Sequence, residues 1–135
     1  MYEHLRQRGK EFDIIFGNRT LLSNSRLALE ASEYARAMGK YERFHEAIFR
    51  FYFTEAYDIG SIGVITSVAA ESGLDTEDMM KAISEKRYRS VLDQAHKEGR
   101  KINLTGVPTF IINEKHKIVG AQPVEVFKEV FSKIG

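Results

Sequence analysis

The residues of this chain that could do chemistry are few and far apart. Its histidines are His4, His45, His96 and His116. A helix-borne metal site needs two such ligands three or four positions apart, and no pair here has that spacing, so no metal is expected. His45 is expected to pack at the margin of a helix and the other three to be solvated. Glu42 and Glu46 share one helical face, as do Glu30 and Glu33, a spacing that could serve acid–base chemistry. Nothing in the surrounding sequence implies the burial that would raise a carboxyl pKa. Gly60-Ser61-Ile62-Gly63 lacks the lysine and the preceding strand of a phosphate loop, and there is no Gly-x-Ser-x-Gly elbow. Cysteine is absent. These residues therefore supply no disulfide, thiolate metal site or dithiol chemistry, and no catalytic residue and no cofactor are expected.

What remains is the segment Thr105-Gly106-Val107-Pro108-Thr109-Phe110-Ile111-Ile112-Asn113. Pro108 is one of two prolines in the chain, and it opens a run with the β-branched and aromatic content of a strand. Proline is tolerated at the first position of a strand, before the hydrogen-bond ladder begins. Alternatively Val107-Pro108 is a cis peptide, a feature usually found in a tight turn or a site. The residues alone leave both open.

The elements that must position this segment follow from periodicity. At 135 residues the chain has the length of one domain, and 43% hydrophobic with 29% charged residues is ordinary globular composition. A net charge of +1 with scattered basic residues gives no reason to expect a nucleic-acid partner. No apolar run is long enough to span a bilayer, and the first residues have no apolar core of a signal peptide, so a cytoplasmic protein is expected. Tyr2 to Arg8 reads as a short helix stopped by Gly9, and Lys10 to Phe16 as a short strand or an extended connector. Ser23-Asn24-Ser25 can cap a helix carrying Leu27, Ala31, Tyr34, Ala35 and Met38, ended by Gly39. Phe44, Ile48, Phe51 and Tyr52 mark a second helix from Tyr41 to about Tyr57, with Phe49 and Phe53 widening its apolar stripe. A third helix follows Ser61 and closes at Gly73. A fourth has acids at Asp75, Glu77 and Asp78 in its first turn. A fifth runs from near Tyr88 to Gly99.

The period then changes. Pro108 to Asn113 and Lys117 to Val119 read as two strands joined by a turn, and Pro123 opens a last helix through Val124, Phe127, Val130 and Phe131 to Ile134. A two-stranded hairpin is marginal alone in water, so this one looks like part of a sheet whose other strands are missing.

Gly106-Val107-Pro108 before a strand, a second strand ending in Gly120-Ala121-Gln122-Pro123, and a helix beginning Val124-Glu125-Val126-Phe127 resemble the C-terminal half of a thioredoxin-like domain. More narrowly, the chain resembles the FrnE-like branch of the DsbA family of dithiol-disulfide oxidoreductases. The segments Asn24 to Ala28, Phe44 to Glu55 and Asp58-Ile59-Gly60 resemble the helical insertion of that branch, and the likeness runs from about Glu11 onward. The family's opening strand, Cys-x-x-Cys helix and second strand are not present here, which reads as a deletion or truncation of the redox half.

The resemblance implies an α+β, partial thioredoxin-like fold: a mainly helical insertion over 1–104, then a C-terminal β-β-α part over 105–135. It implies a cis Pro108 facing the dithiol, and a Val107 backbone that pairs with an extended peptide or protein substrate. Gly106, Val107, Pro108 and Thr109 are then the substrate-binding residues, and the chain by itself is redox-inert. Two other readings stay open. One is a non-catalytic peptide-binding module. The other is a remnant of the glutathione-using kappa-type transferases and 2-hydroxychromene-2-carboxylate isomerases, whose reactive motif would also lie in the missing half. The open strand edge leads to the expectation of a homo-oligomer, most simply a dimer.

Overall fold

A computed structural model describes residues 2–134. Its contacts divide the chain into one unit through Asp93 and a second from Gln94. The division falls inside a helix.

The first unit is helical. Helix α1 spans Tyr2–Lys10, α2 Arg26–Ala37, α3 Tyr41–Phe49, α4 Ile62–Glu71 and α5 Thr76–Ser84, and α6, Arg89–Lys101, crosses the division. Gly9 lies within α1 rather than ending it, because the chain turns back over it. The Ile14 amide donates to the Gly9 carbonyl at 2.8 Å, and a Cβ at Gly9 would stand 2.6 Å from the Ile14 oxygen. Residues 11–16 form no strand, because this turn back onto α1 satisfies the backbone locally. At α2 it is the Asn24 side chain that receives the Arg26 amide, at 3.0 Å, while Ser25 makes no side-chain cap. Asp75 caps α5 by accepting the Asp78 amide at 2.9 Å.

The long helix expected from Tyr41 to Tyr57 is interrupted. After Phe49 the chain widens into a π-helical turn, Arg50–Thr54, closed by the Glu55 amide donating to the Arg50 carbonyl at 3.0 Å. The wider turn leaves the Phe53 carbonyl free for the Gly17 amide, 2.7 Å away, and the Thr54 hydroxyl donates to the Ile15 carbonyl at 2.8 Å. The connector before α2 is thereby tied to the end of α3.

Small residues on α2 make the core possible. Ala28, Ala31 and Ala35 admit close packing by Phe44 and Ile48 of α3, Ile65, Val68 and Ala69 of α4, and Met79 and Ala82 of α5, all buried. Fully burying one Ile or Phe side chain contributes roughly 1.5–3 kcal/mol.

The second unit holds the end of α6, a hairpin and a last helix. Strand β1, Thr109–Ile112, pairs antiparallel with β2, His116–Val119, in the register Thr109 to Val119 through Ile112 to His116. Asn113 and Glu114 at φ 51° and 60° turn the chain between them. Helix α7, Val124–Ile134, follows, with the Pro123 carbonyl accepting the Val126 amide at 3.1 Å. Phe127 of α7 meets Phe110 of β1 edge to face, ring centroids 5.0 Å apart, and buried Ile118 shares that face of the hairpin.

Candidate functional site

The residues singled out in the sequence converge on one short wall in the second unit. Helix α6 stops at Lys101 because Asn103 takes φ 51° and the Leu104 amide returns to the Gly99 carbonyl at 2.9 Å. The Lys117 ammonium donates to the carbonyls of Ile102, at 3.1 Å, and Asn103, at 2.8 Å, tying β2 to the end of α6. The chain then enters Gly106, whose Cα lies close beside Val119: a Cβ there would stand 3.4 Å from the Val119 side chain. The Thr109 hydroxyl donates to the Gly106 carbonyl at 2.6 Å, closing a tight loop around Val107-Pro108. The peptide bond between these two residues is cis. Beyond β2, Gly120 at φ 86° donates its amide to the Pro108 carbonyl at 2.7 Å, and the Gln122 side chain holds the Val119 carbonyl at 2.9 Å. Gly120 to Pro123 thus has a structural task beside the loop.

Val107 is the outward point of this wall. It is 83% exposed, and among the described residues its amide and carbonyl have no backbone partner. The register extends the pattern. Because Pro108 bonds to Gly120, the hydrogen-bonded pairs of the ladder are Phe110 with Ile118 and Ile112 with His116. The backbone groups of Thr109 and Ile111 therefore point away from β2, toward the edge of β1 that has no neighbouring strand among the described residues. Val107, Thr109 and Ile111 together leave main-chain donors and acceptors without a backbone partner among the described residues.

The histidines and acids do not gather into a cluster among the described residues. His4 and His96 are exposed, and His116 is half-buried at the start of β2 rather than solvated. His45 stands in a ladder of rings on α3, 5.4 Å from Tyr41 and 4.3 Å from Phe49. No group of three His, Asp or Glu among the described residues is arranged to hold a metal. Glu30 is buried, contrary to the expectation of a solvated pair, and accepts from the Arg26 guanidinium at 3.2 Å. The signal was available: Arg26 precedes Glu30 by one helical turn. Glu33 is paired with Arg36 at 3.4 Å.

Sequence reading missed a hollow in the first unit. It measures about 390 Å³ and is lined by Leu29, His45, Ile48, Phe49, Tyr52 and Phe53 among others. Phe49, expected in the apolar stripe, is 51% exposed beside it. The hollow offers mainly apolar contact, with Ser25, Ser32, Glu33 and His45 as polar side chains on its walls.

The family of DSBA-like thioredoxin domains matches residues 1–132. A curated relative, "Uncharacterized protein YwbO" of Bacillus subtilis (strain 168), is 34% identical over 107 residues, which are 78% of this chain and 53% of the relative. This chain thus spans about half the length of the curated relative it matches. The crystal structure of probable DsbA oxidoreductase SCO1869 from Streptomyces coelicolor superposes with a TM-score of 0.83 at 21% identity, covering 98% of this chain and 58% of that one, a likeness of fold. With the helical unit, the hairpin and all but the last two residues of α7 inside the matched range, the chain belongs to the family of DSBA-like thioredoxin domains.

Proposed function

We propose that this chain is the thiol-free, peptide-holding part of a FrnE-like, DsbA-family thiol-disulfide system, acting in the cytoplasm. Gly106, Val107, Pro108 and Thr109 dock an extended polypeptide by strand addition, in which main-chain hydrogen bonds supply affinity. The observation that carries the reading is the unpartnered backbone of Val107, exposed beside Pro108 in a chain of this family. The chain has no cysteine, so it contains no thiolate to attack a disulfide, and thiol exchange on the docked polypeptide belongs to cysteines outside these residues. The same composition supports a reducing compartment, where structural disulfides are rare.

The reading is tested by titrating a Thr- and Val-rich extended peptide. Val107→Pro removes the amide donor and weakens binding about fivefold, the worth of a hydrogen bond of about 1 kcal/mol, while Val107→Ala keeps the amide and binds as the parent does. Equal binding by the proline variant refutes the docking role.

A further inference from the structure

We infer that Lys117 of β2 is the positioning residue of the peptide-docking loop: its ammonium group sets where the Val107 backbone stands by fastening the end of α6 to the hairpin. The inference rests on the docking reading above and deepens it, since Lys117 lies outside Gly106 to Thr109 and acts only through them.

The stretch from Ile102 to Pro108 carries the chain from α6 into β1, and it is fastened to the hairpin at both ends. At the far end the Gly120 amide donates to the Pro108 carbonyl at 2.7 Å. At the near end the Lys117 ammonium donates to the carbonyls of Ile102, at 3.1 Å, and Asn103, at 2.8 Å. Val107 lies between the two fastenings. The Thr109 hydroxyl, 2.6 Å from the Gly106 carbonyl, folds the chain there into its tight loop. The bond from the Leu104 amide to the Gly99 carbonyl closes α6 on itself and does not join it to the strands. Lys117 does join them. All of these contacts lie inside the second unit.

The chemistry suits a lysine. Carbonyls at the end of a helix lack intrahelical donors, and the C-terminal end of a helix favours a cation. An ammonium group has three donors, enough to serve both oxygens at once. Its place on the strand is also right. Lys117 stands opposite Ile111 in the register and next to buried Ile118, which pairs with Phe110 on the face that meets Phe127 of α7. Side chains alternate along a strand, so Lys117 leaves from the other face of the hairpin. Helix α7 thus packs on one face, and the end of α6 is held to the other. A loop already fastened in the conformation that binds loses less freedom when a peptide docks, which raises affinity without a new contact to the peptide.

The test compares Lys117→Met, which keeps the length of the side chain without its donors, with Lys117→Arg, which keeps donors and charge. In the peptide titration described above, Lys117→Met weakens binding about fivefold, as follows when the competent loop falls to about a fifth of the population, and Lys117→Arg stays within about twofold of the parent. NMR relaxation of the free chain reads the loop itself. The Gly106 and Val107 amides have order parameters of about 0.85 in the parent and in Lys117→Arg, and below about 0.6 in Lys117→Met. The Phe110 and Ile112 amides exchange at the same rate in all three proteins, which separates positioning of the loop from support of the hairpin. Unchanged order parameters in Lys117→Met overturn the inference, and so does faster exchange at Phe110 and Ile112. Full binding by Lys117→Met overturns it as well when Val107→Pro binds weakly. If Val107→Pro binds as the parent does, the docking reading fails, and the order parameters alone decide whether Lys117 positions the loop.

Discussion

Tyr34 shows how a residue placed by pattern acquires a second task from its neighbours. Its ring is buried in the core, edge to face with Tyr88 at 6.3 Å, while its hydroxyl donates to the Asp78 carboxylate at 2.9 Å. Burial, and then the bond to Asp78, push its pKa from 10.0 to about 12. The folded state therefore favours the neutral phenol. That stability is complete below pH 10, and is lost as pH climbs from 10 to about 12, because the unfolded chain ionises first. Tyr34→Phe is expected to lower unfolding free energy at pH 7 by about 1 kcal/mol, the worth of the hydrogen bond. Urea titrations from neutral pH upward should then show the gap between parent and variant closing over this alkaline window. A gap that stays constant would mean that the hydroxyl does not titrate differently in the two states.

At the scale of elements, the π-helical turn at Arg50–Thr54 organises its surroundings. Arg50 pairs with both Glu55 and Glu71, linking the turn to α4, and Gly17 lies directly on the Thr54 carbonyl. A Cβ at Gly17 would stand 2.2 Å from that oxygen, and backbone on both sides leaves no flexible side chain to yield. Gly17→Ala should therefore cost about 2 kcal/mol or more in the first unit, measured by denaturant unfolding. The apolar period of Phe44 to Phe53 announced a helix, but an α-helix and a π-turn carry the same apolar residues. What selects the turn is the partner for a carbonyl, the Gly17 amide, which stands more than thirty residues earlier in the chain. Similarly, Lys10 to Phe16 has strand-like composition and becomes a turn because Gly9 admits the chain back over α1.

Across the whole molecule, apolar burial is unevenly shared. The buried cluster lies between Ala28 and Ala82, in the first unit, whereas Ile118 is the buried apolar residue of the second among the described residues. Local opening free energies follow such contacts. Native-state hydrogen exchange should find the β1 and β2 ladder amides opening at least about 2 kcal/mol more easily than those in the middle of α3 and α4. Equal protection in both units would contradict that division. No helix among the described residues is long and apolar enough to cross a membrane.

Much was legible in the sequence because it rests on local rules. Helical period located α2 to α6, the change of period before Pro108 marked the hairpin, and Gly-Val-Pro with Gly-Ala-Gln-Pro carried the resemblance to the DsbA family. The absence of cysteine settled that this chain has no thiolate. Tertiary structure alone decided which faces were enclosed. Glu30 is buried, Phe49 is half open beside a hollow, and the Tyr34 hydroxyl finds Asp78, although each had an ordinary place on a helix. It also decided that Thr109 and Ile111, rather than Phe110 and Ile112, turn their main chain outward. Periodicity states which residues share a side of one element; which side meets protein, and which strand edge meets water, depends on the elements brought against it from elsewhere in the chain.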